Sequence, residues 1–217
     1  MSAVAATGRA GQQQLPGSGR GGTCAGGRGT GAVLAVSGAL GLLASWVITI
    51  DEFKIFEARA AGRTFTPSCS LNPVVSCGSV MESVQAHVFG FPNPLIGLVC
   101  YAVVVTLAVG LIAGVRYPAW IWAGLACGAV FGVSFCSWLQ FQSLFRINAL
   151  CLWCCLVWSV TILIFYRTAV HLIRHRMIPA PDALRRGLLE FSWVLPVLWT
   201  GLIGVAVLVR WWDFWMA

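Results

Sequence analysis

The chain has 217 residues, of which 59% are hydrophobic and only 10% are charged. This composition excludes an ordinary soluble globular domain, in which roughly a quarter of the residues are charged. The net charge of +7 does not indicate nucleic-acid binding, because the arginines flank apolar segments in the manner of membrane topology signals.

The first 30 residues contain nine glycines and no apolar periodicity. Such a segment buries too little apolar surface to offset the chain entropy that is lost on folding. We therefore predict that residues 1–30 form a disordered cytoplasmic tail and that residues 31–217 form an integral membrane domain.

Five later segments lack Asp, Glu, Lys and Arg and approach or exceed the roughly 20 apolar residues with which a helix crosses a bilayer. They are residues 31–50, 95–115, 118–145, 149–166 and 191–209. These lengths predict an all-α membrane protein with five transmembrane helices. A cleaved signal peptide is the alternative for the first segment, but its apolar run and the chain before it are longer than in such peptides.

Arginines are concentrated on one side of the predicted helices. They lie before the first span, between the second and third, and between the fourth and fifth: Arg9, Arg20, Arg28, Arg116, Arg167, Arg174, Arg176, Arg185 and Arg186. The positive-inside rule then places the N-terminus in the cytoplasm and the C-terminus outside. The loop over residues 51–94 is therefore predicted to be extracytoplasmic.

This loop contains the signals of one short helix. Ser79 and Glu82 have the spacing of a capping box, and valines recur at helical spacing after Ser79. A glycine and two prolines within residues 90–94 end the pattern. We predict a helix of about ten residues that lies on the outer leaflet as a lid over the bundle. His87 on this helix is interpreted as interfacial rather than catalytic.

Two cysteine pairs lie on the predicted extracytoplasmic side, where disulfides persist. Cys69 and Cys77 are in the polar loop, whereas Cys151 and Cys154 begin the fourth apolar segment as Cys-Leu-Trp-Cys. A helix N-terminus stabilises a thiolate. A structural disulfide is the simplest interpretation of the loop pair alone, but a static disulfide does not require a second pair at a neighbouring helix.

The spacing leaves two alternatives open. Cys155 lies four residues after Cys151 and borders the same helix face as Cys154 and Trp158, so it could be the partner of Cys151. Three cysteines within five residues could also bind a metal. No His, Asp or Glu lies nearby, although the loop cysteines could supply further ligands.

The chain resembles the vitamin K epoxide reductase family, particularly its bacterial members. The motifs that carry the resemblance are, in order, Cys69-x7-Cys77, Ser83, Gly90-Phe-Pro-Asn93-Pro-Leu-Ile-Gly97 and Cys151-x-x-Cys154. They extend over roughly residues 31–166. The resemblance implies a four-helix bundle around a quinone, a further helix outside the bundle, and a short helix that covers the pocket.

The resemblance also implies roles for the cysteines. Cys69 and Cys77 would be the shuttle pair, and Cys151 and Cys154 would be the active-site pair. The thiolate of Cys154 would meet a quinone of the menaquinone, ubiquinone or vitamin K type.

Three further positions are implied to bind the quinone. Ser83 and Asn93 match family positions near the ring, with Asn93 as a hydrogen-bond donor to a ring carbonyl. At Trp158 the sequence departs from the vertebrate members, which carry a tyrosine there. An indole N–H could donate instead, and the departure makes epoxide reduction a less expected native role.

These features predict a membrane thiol:quinone oxidoreductase that reoxidises an extracytoplasmic DsbA-like protein. Many bacterial members carry a fused thioredoxin-like domain after the fifth helix, whereas this chain ends at Ala217. We therefore expect the thioredoxin-like partner to be a separate protein. The alternatives are a vitamin K epoxide reductase proper, a membrane metal-binding or transport protein, and a non-catalytic scaffold that is held by disulfides.

Overall fold

The computed structural model describes residues 23–24, 27–177, 181–191 and 193–216. Its helices, in chain order, are α1 (Arg28–Ala60), α2 (Cys77–Met81), α3 (Pro94–Ile112), α4 (Ala119–Gln142), α5 (Leu152–Arg174), α6 (Asp182–Glu190), α7 (Val194–Arg210) and α8 (Trp212–Met216). A 3₁₀ turn follows α2, and a π-helical turn over Ser143–Ile147 extends α4.

The prediction of an all-α membrane protein is confirmed. Among the described residues, four helices are long and apolar enough to cross a membrane: α1, α3, α5, and α4 together with its π-helical turn. The fifth predicted segment forms α7, an apolar helix of 17 residues that is shorter than the other four.

The four long helices form the bundle. Helix α1 packs along α3 and α5, α4 packs on α5, and α7 lies against α5 from outside. Apolar side chains pack against one another between the four helices, including Leu34, Val104, Trp122 and Ile164.

Glycines allow α1 to approach α3 closely. A Cβ atom at Gly41 would lie 2.5 Å from the ring of Tyr101, and one at Gly38 would lie 3.0 Å from Val105. Small residues at such contacts let two membrane helices pack backbone to backbone.

Most of the predicted tail, residues 1–30, lies outside the described residues. Within it, Thr23–Cys24 pairs antiparallel with Tyr117–Pro118 of the loop before α4, and α1 already begins at Arg28.

The predicted ten-residue lid helix is wrong in its extent. The chain forms α2 and then a separate 3₁₀ turn over Val84–His87. Ser83 interrupts the helix because its backbone is extended and its hydroxyl donates to the carbonyl of Val80 at 2.6 Å. A serine that bonds the local backbone in this way competes with helix continuation. We use "lid" for residues 77–93, which comprise α2, the 3₁₀ turn and the link to α3.

The predicted capping box is also wrong. Ser76, not Ser79, caps α2, and its hydroxyl accepts a hydrogen bond from the backbone N–H of Ser79 at 3.4 Å. Glu82 instead ends α2 and pairs with Arg59 on α1 at 2.7 Å. The serine one residue before Cys77 is in the position from which its oxygen reaches the third helical N–H.

Candidate active site

The structure brings the two cysteine pairs into one apolar cluster. Cys69 and Cys77 form a disulfide, whereas Cys151 and Cys154 are free thiols. All four pack together beside Ile48, Ile55 and Met81. The buried cluster therefore places a disulfide from the loop next to a dithiol from the start of α5.

A short backbone bridge holds the two pairs together. Val75 and Leu150 form a parallel β-bridge, in which the N–H of Leu150 donates to Val74 at 2.8 Å and the N–H of Ser76 donates to Leu150 at 3.0 Å. Leu150 directly precedes Cys151, and Ser76 directly precedes Cys77. We use "loop strand" for residues 74–76. The bridge thus aligns one member of each pair.

The side chain of Asn72 shapes the loop strand for this bridge. Its Oδ1 accepts hydrogen bonds from the N–H groups of Val74 at 3.0 Å and Val75 at 2.6 Å. Asparagine side chains commonly stabilise turns in this way. The segment Asn72-Pro-Val-Val is the sequence signal of this turn, but the docking of the strand on Leu150 has no local signal.

The turn before Cys151 is fixed by α7, to which the sequence assigned no role. Asn148 has a left-handed backbone with φ of 56°, which asparagine tolerates better than most residues. Arg210 donates to the carbonyl of Leu144 at 3.1 Å and to the side chain of Asn148. Helix α7 therefore positions the turn before Cys151.

Cys151 caps α5 immediately before the membrane-spanning segment. Its Sγ accepts a hydrogen bond from the backbone N–H of Cys154 at 3.3 Å. A hydrogen bond from the Cys154 thiol, together with the backbone N–H groups of Cys154 and Trp153, lowers the pKa of Cys151 although burial opposes the shift. The thiolate of Cys151 is thus stabilised next to the loop disulfide, where it suits thiol–disulfide exchange between the two pairs.

A cavity of about 500 Å³ lies within the four-helix bundle beneath the lid, and residues of α1, α3, α4 and α5 line it. Its volume is within the range of roughly 300–1,000 Å³ that is typical of sites for small organic ligands. Four residues singled out in the sequence line it, namely Ser83, Asn93, Cys154 and Trp158. Cys155 is absent from its wall and packs with Cys154 in a neighbouring cluster.

Few polar groups line the cavity, and they differ in whether their hydrogen bonds are already made within the protein. Asn93 donates its Nδ2 hydrogen to the carbonyl of Gln85 at 2.7 Å, while its Oδ1 has no partner among the described residues. Tyr101 and Thr161 bond each other at 2.6 Å, and the Ser83 hydroxyl is directed to Val80. Asn93 therefore offers a ligand both its carbonyl oxygen and its second N–H.

Within the described ranges, no group of three or more His, Cys, Asp and Glu side chains has the arrangement of a metal site. The comparison with known families gives a direct assignment. The family model described as "Vitamin K epoxide reductase family" matches residues 32–169.

The chain belongs to the vitamin K epoxide reductase family. A search of the curated proteins found no match. Membership indicates a membrane oxidoreductase of a family whose members use quinones as redox partners.

The cavity of this vitamin K epoxide reductase family member fits a quinone. Its wall is largely apolar, as a hydrophobic ring requires. The free N–H of Asn93 suits a ring carbonyl, and its unpaired Oδ1 suits the hydroxyl of the reduced ring. When bound, such a ring supplies an acceptor for two electrons beside the Cys154 thiol.

Proposed function

We propose that the protein is a thiol:quinone oxidoreductase of the cell membrane that reoxidises a separate extracytoplasmic thioredoxin-like protein of the DsbA type. The single observation that carries this proposal is the packing of the Cys69–Cys77 disulfide against the Cys151–Cys154 thiols, with Cys154 alone of the four on the cavity wall. This order of sulfur atoms leads from the loop to the cavity.

The proposed relay conserves electrons at each step. A dithiol of the partner attacks the Cys69–Cys77 disulfide, so the partner is oxidised and the two loop thiols are formed. These thiols then reduce an oxidised Cys151–Cys154 pair by the same exchange. The Cys151–Cys154 dithiol finally returns to the disulfide by losing two electrons and two protons, and a quinone that takes up two electrons and two protons becomes a quinol.

The orientation in the proposal follows from the arginines. Under the positive-inside rule they support an N-terminus in the cytoplasm and a loop with its disulfide outside, on the side where a thiol-oxidising partner would operate. A membrane quinone of the menaquinone, ubiquinone or vitamin K type suits the apolar cavity, since its isoprenoid tail partitions into lipid.

A vitamin K epoxide reductase proper is the second candidate, because it would use the same four cysteines. Trp158, which is 4% exposed, lines the cavity where the vertebrate members are expected to carry a tyrosine hydroxyl. Turnover of a quinone without turnover of the epoxide would favour the first candidate.

The test is quinone reduction by the purified protein in detergent, driven either by a small dithiol or by a reduced DsbA-like protein. Cys154→Ala should abolish turnover because it removes the thiol at the cavity. Cys155→Ala is the matched control, since it removes the adjacent thiol that lies off the cavity wall, and it should retain turnover. A folded wild-type protein that reduces no quinone with either donor would overturn the proposal.

A further inference from the structure

A buried carboxyl group on the cavity wall has no role in the relay described above. Glu52, near the outer end of α1, is 2% exposed and lines the same cavity as Cys154. Neither of its carboxyl oxygens has a hydrogen bond with acceptable geometry among the described residues. Burying a carboxyl group without hydrogen bonds is costly, so packing alone does not account for an acid here.

His87 of the lid faces this carboxyl group. Its Nε2 lies 2.7 Å from Oε1 of Glu52, which is an ion-pair distance although the angle departs from that of a hydrogen bond. The other ring nitrogen, Nδ1, lies 3.3 Å from the carbonyl oxygen of Ser83. Since a carbonyl oxygen only accepts, Nδ1 must carry a hydrogen.

The 2.7 Å approach of Nε2 to Oε1 is compatible with one proton held between the two side chains. If His87 is neutral, its hydrogen is on Nδ1 and Nε2 presents a lone pair to Glu52, so close contact requires a protonated carboxyl group. If Glu52 is ionised, the contact requires a doubly protonated imidazole. Either way, a single proton is shared between the cavity wall and the lid.

The pair also connects the cavity to the exterior. The side chain of His87 is 26% exposed, whereas that of Glu52 is 2% exposed. Among the described residues, the neighbouring basic side chains Lys54 and Arg59 pair with Asp51 and Glu82. His87 is therefore the basic group that contacts Glu52.

We propose that Glu52 is the proton donor to the quinone oxygen and that His87 returns a proton to Glu52 from the extracytoplasmic surface. This inference rests on the proposed quinone reduction. The Glu52 carboxyl gives its proton to the reduced ring oxygen and is left as a carboxylate. The second ring oxygen takes one of the two protons of the Cys151–Cys154 dithiol. His87 restores the Glu52 proton from water, and the other dithiol proton leaves to solvent, so charge and protons balance over the cycle.

Four other polar residues on the cavity wall, Ser83, Asn93, Tyr101 and Thr161, are poorer acids for this step. The hydroxyl of Ser83 is directed to Val80, and the hydroxyls of Tyr101 and Thr161 bond each other. Asn93 can position a ring oxygen through its amide but cannot release a proton at ordinary pH. Glu52 is the carboxylic acid on the wall of this cavity.

The experiment separates proton transfer from disulfide exchange. Fully reduced protein is mixed with a short-tailed ubiquinone analogue, and quinol formation is followed by absorbance in a single turnover. In parallel, thiol trapping without quinone follows exchange between the Cys69–Cys77 and Cys151–Cys154 pairs. The variants are Glu52→Gln, Glu52→Asp, His87→Gln and the control Glu57→Gln, which changes an exposed carboxylate of the same helix.

Glu52→Gln should slow quinol formation by about 100-fold, the lower end of the range for general acid catalysis, while disulfide exchange stays unchanged. Glu52→Asp should recover part of the rate because it keeps an acid. His87→Gln should slow repeated turnover more than the first turnover, and Glu57→Gln should change neither. Infrared difference spectra on reduction should contain a carboxylic acid C=O band that Glu52→Gln removes.

Three results would overturn the inference. If Glu52→Gln forms quinol at the wild-type rate, the inference is overturned and the proposed function is left intact. An equal loss of quinol formation and disulfide exchange in Glu52→Gln and Glu52→Asp would show a structural role. Absence of quinol formation in the exchanging wild-type protein would overturn the proposed function, and the inference with it.

Discussion

The bridge between the loop strand and the turn before Cys151 makes a quantitative prediction through Asn72. Replacing Asn72 by alanine removes the acceptor for two backbone N–H groups, at 3.0 and 2.6 Å. Each such hydrogen bond contributes about 0.5–1.5 kcal/mol net, so the docked loop should lose about 1–3 kcal/mol. Because about 1.4 kcal/mol corresponds to a factor of ten, exchange between the two cysteine pairs should slow by between roughly fivefold and 150-fold.

Asn72→Asp is the matched control, since a carboxylate oxygen can accept both N–H groups in the same position. Exchange is measured by reducing the loop pair with a dithiol, stopping the reaction with an alkylating agent, and identifying the modified cysteines by mass spectrometry. Asn72→Asp should retain most of the wild-type rate. An Asn72→Ala protein that exchanges as fast as wild type would refute the view that this turn aligns the pairs.

Three further predictions concern packing and the cavity. Arg210→Ala should lower thermal stability in detergent and slow disulfide exchange, because it removes the donor that holds the turn before Cys151; an unchanged exchange rate would contradict this role of α7. Gly41→Ala should destabilise the bundle by about 1–3 kcal/mol, since its Cβ would lie 2.5 Å from the Tyr101 ring, whereas Gly204→Ala has open space and should have little effect on the melting temperature. Asn93→Ala should weaken quinone binding by about tenfold in a fluorescence titration, with about 1.4 kcal/mol lost from hydrogen bonding, and equal affinity would exclude a contact.

The helices could be predicted from the sequence because a bilayer imposes a strong one-dimensional signal. A helix that crosses the bilayer must be predominantly apolar over its length, so segments without charged residues indicate where such helices lie. Glu52 is an exception to this signal. It follows the first charge-free segment, so the sequence predicts that it lies in the loop. In the structure α1 stays helical to Ala60, and Glu52 is buried beneath the lid, where His87 contacts it. This burial depends on a tertiary contact, which the local sequence does not indicate.

The cysteine pairs could be found from motif spacing, but their mutual placement could not. The bridge from Val75 to Leu150 joins distant segments through backbone atoms, which leave no side-chain pattern. The lid helix was overextended for a related reason. Periodic valines indicated one helix, whereas the Ser83 hydroxyl bonds the carbonyl of Val80 and ends it.

The burial of the loop disulfide constrains how the relay operates. Cys69 is 6% exposed and Cys77 is 0% exposed, so a large protein thiol cannot reach either sulfur while the loop is docked on Leu150. The docked arrangement therefore serves internal exchange, and reaction with the partner requires the strand to leave the bridge. Asn72→Ala, which weakens docking, should accordingly slow internal exchange while accelerating reduction of the Cys69–Cys77 disulfide by an external protein thiol. Opposite changes in these two rates would support a loop that alternates between a docked and an undocked position. A parallel decrease of both rates would show that the partner reacts with the docked loop.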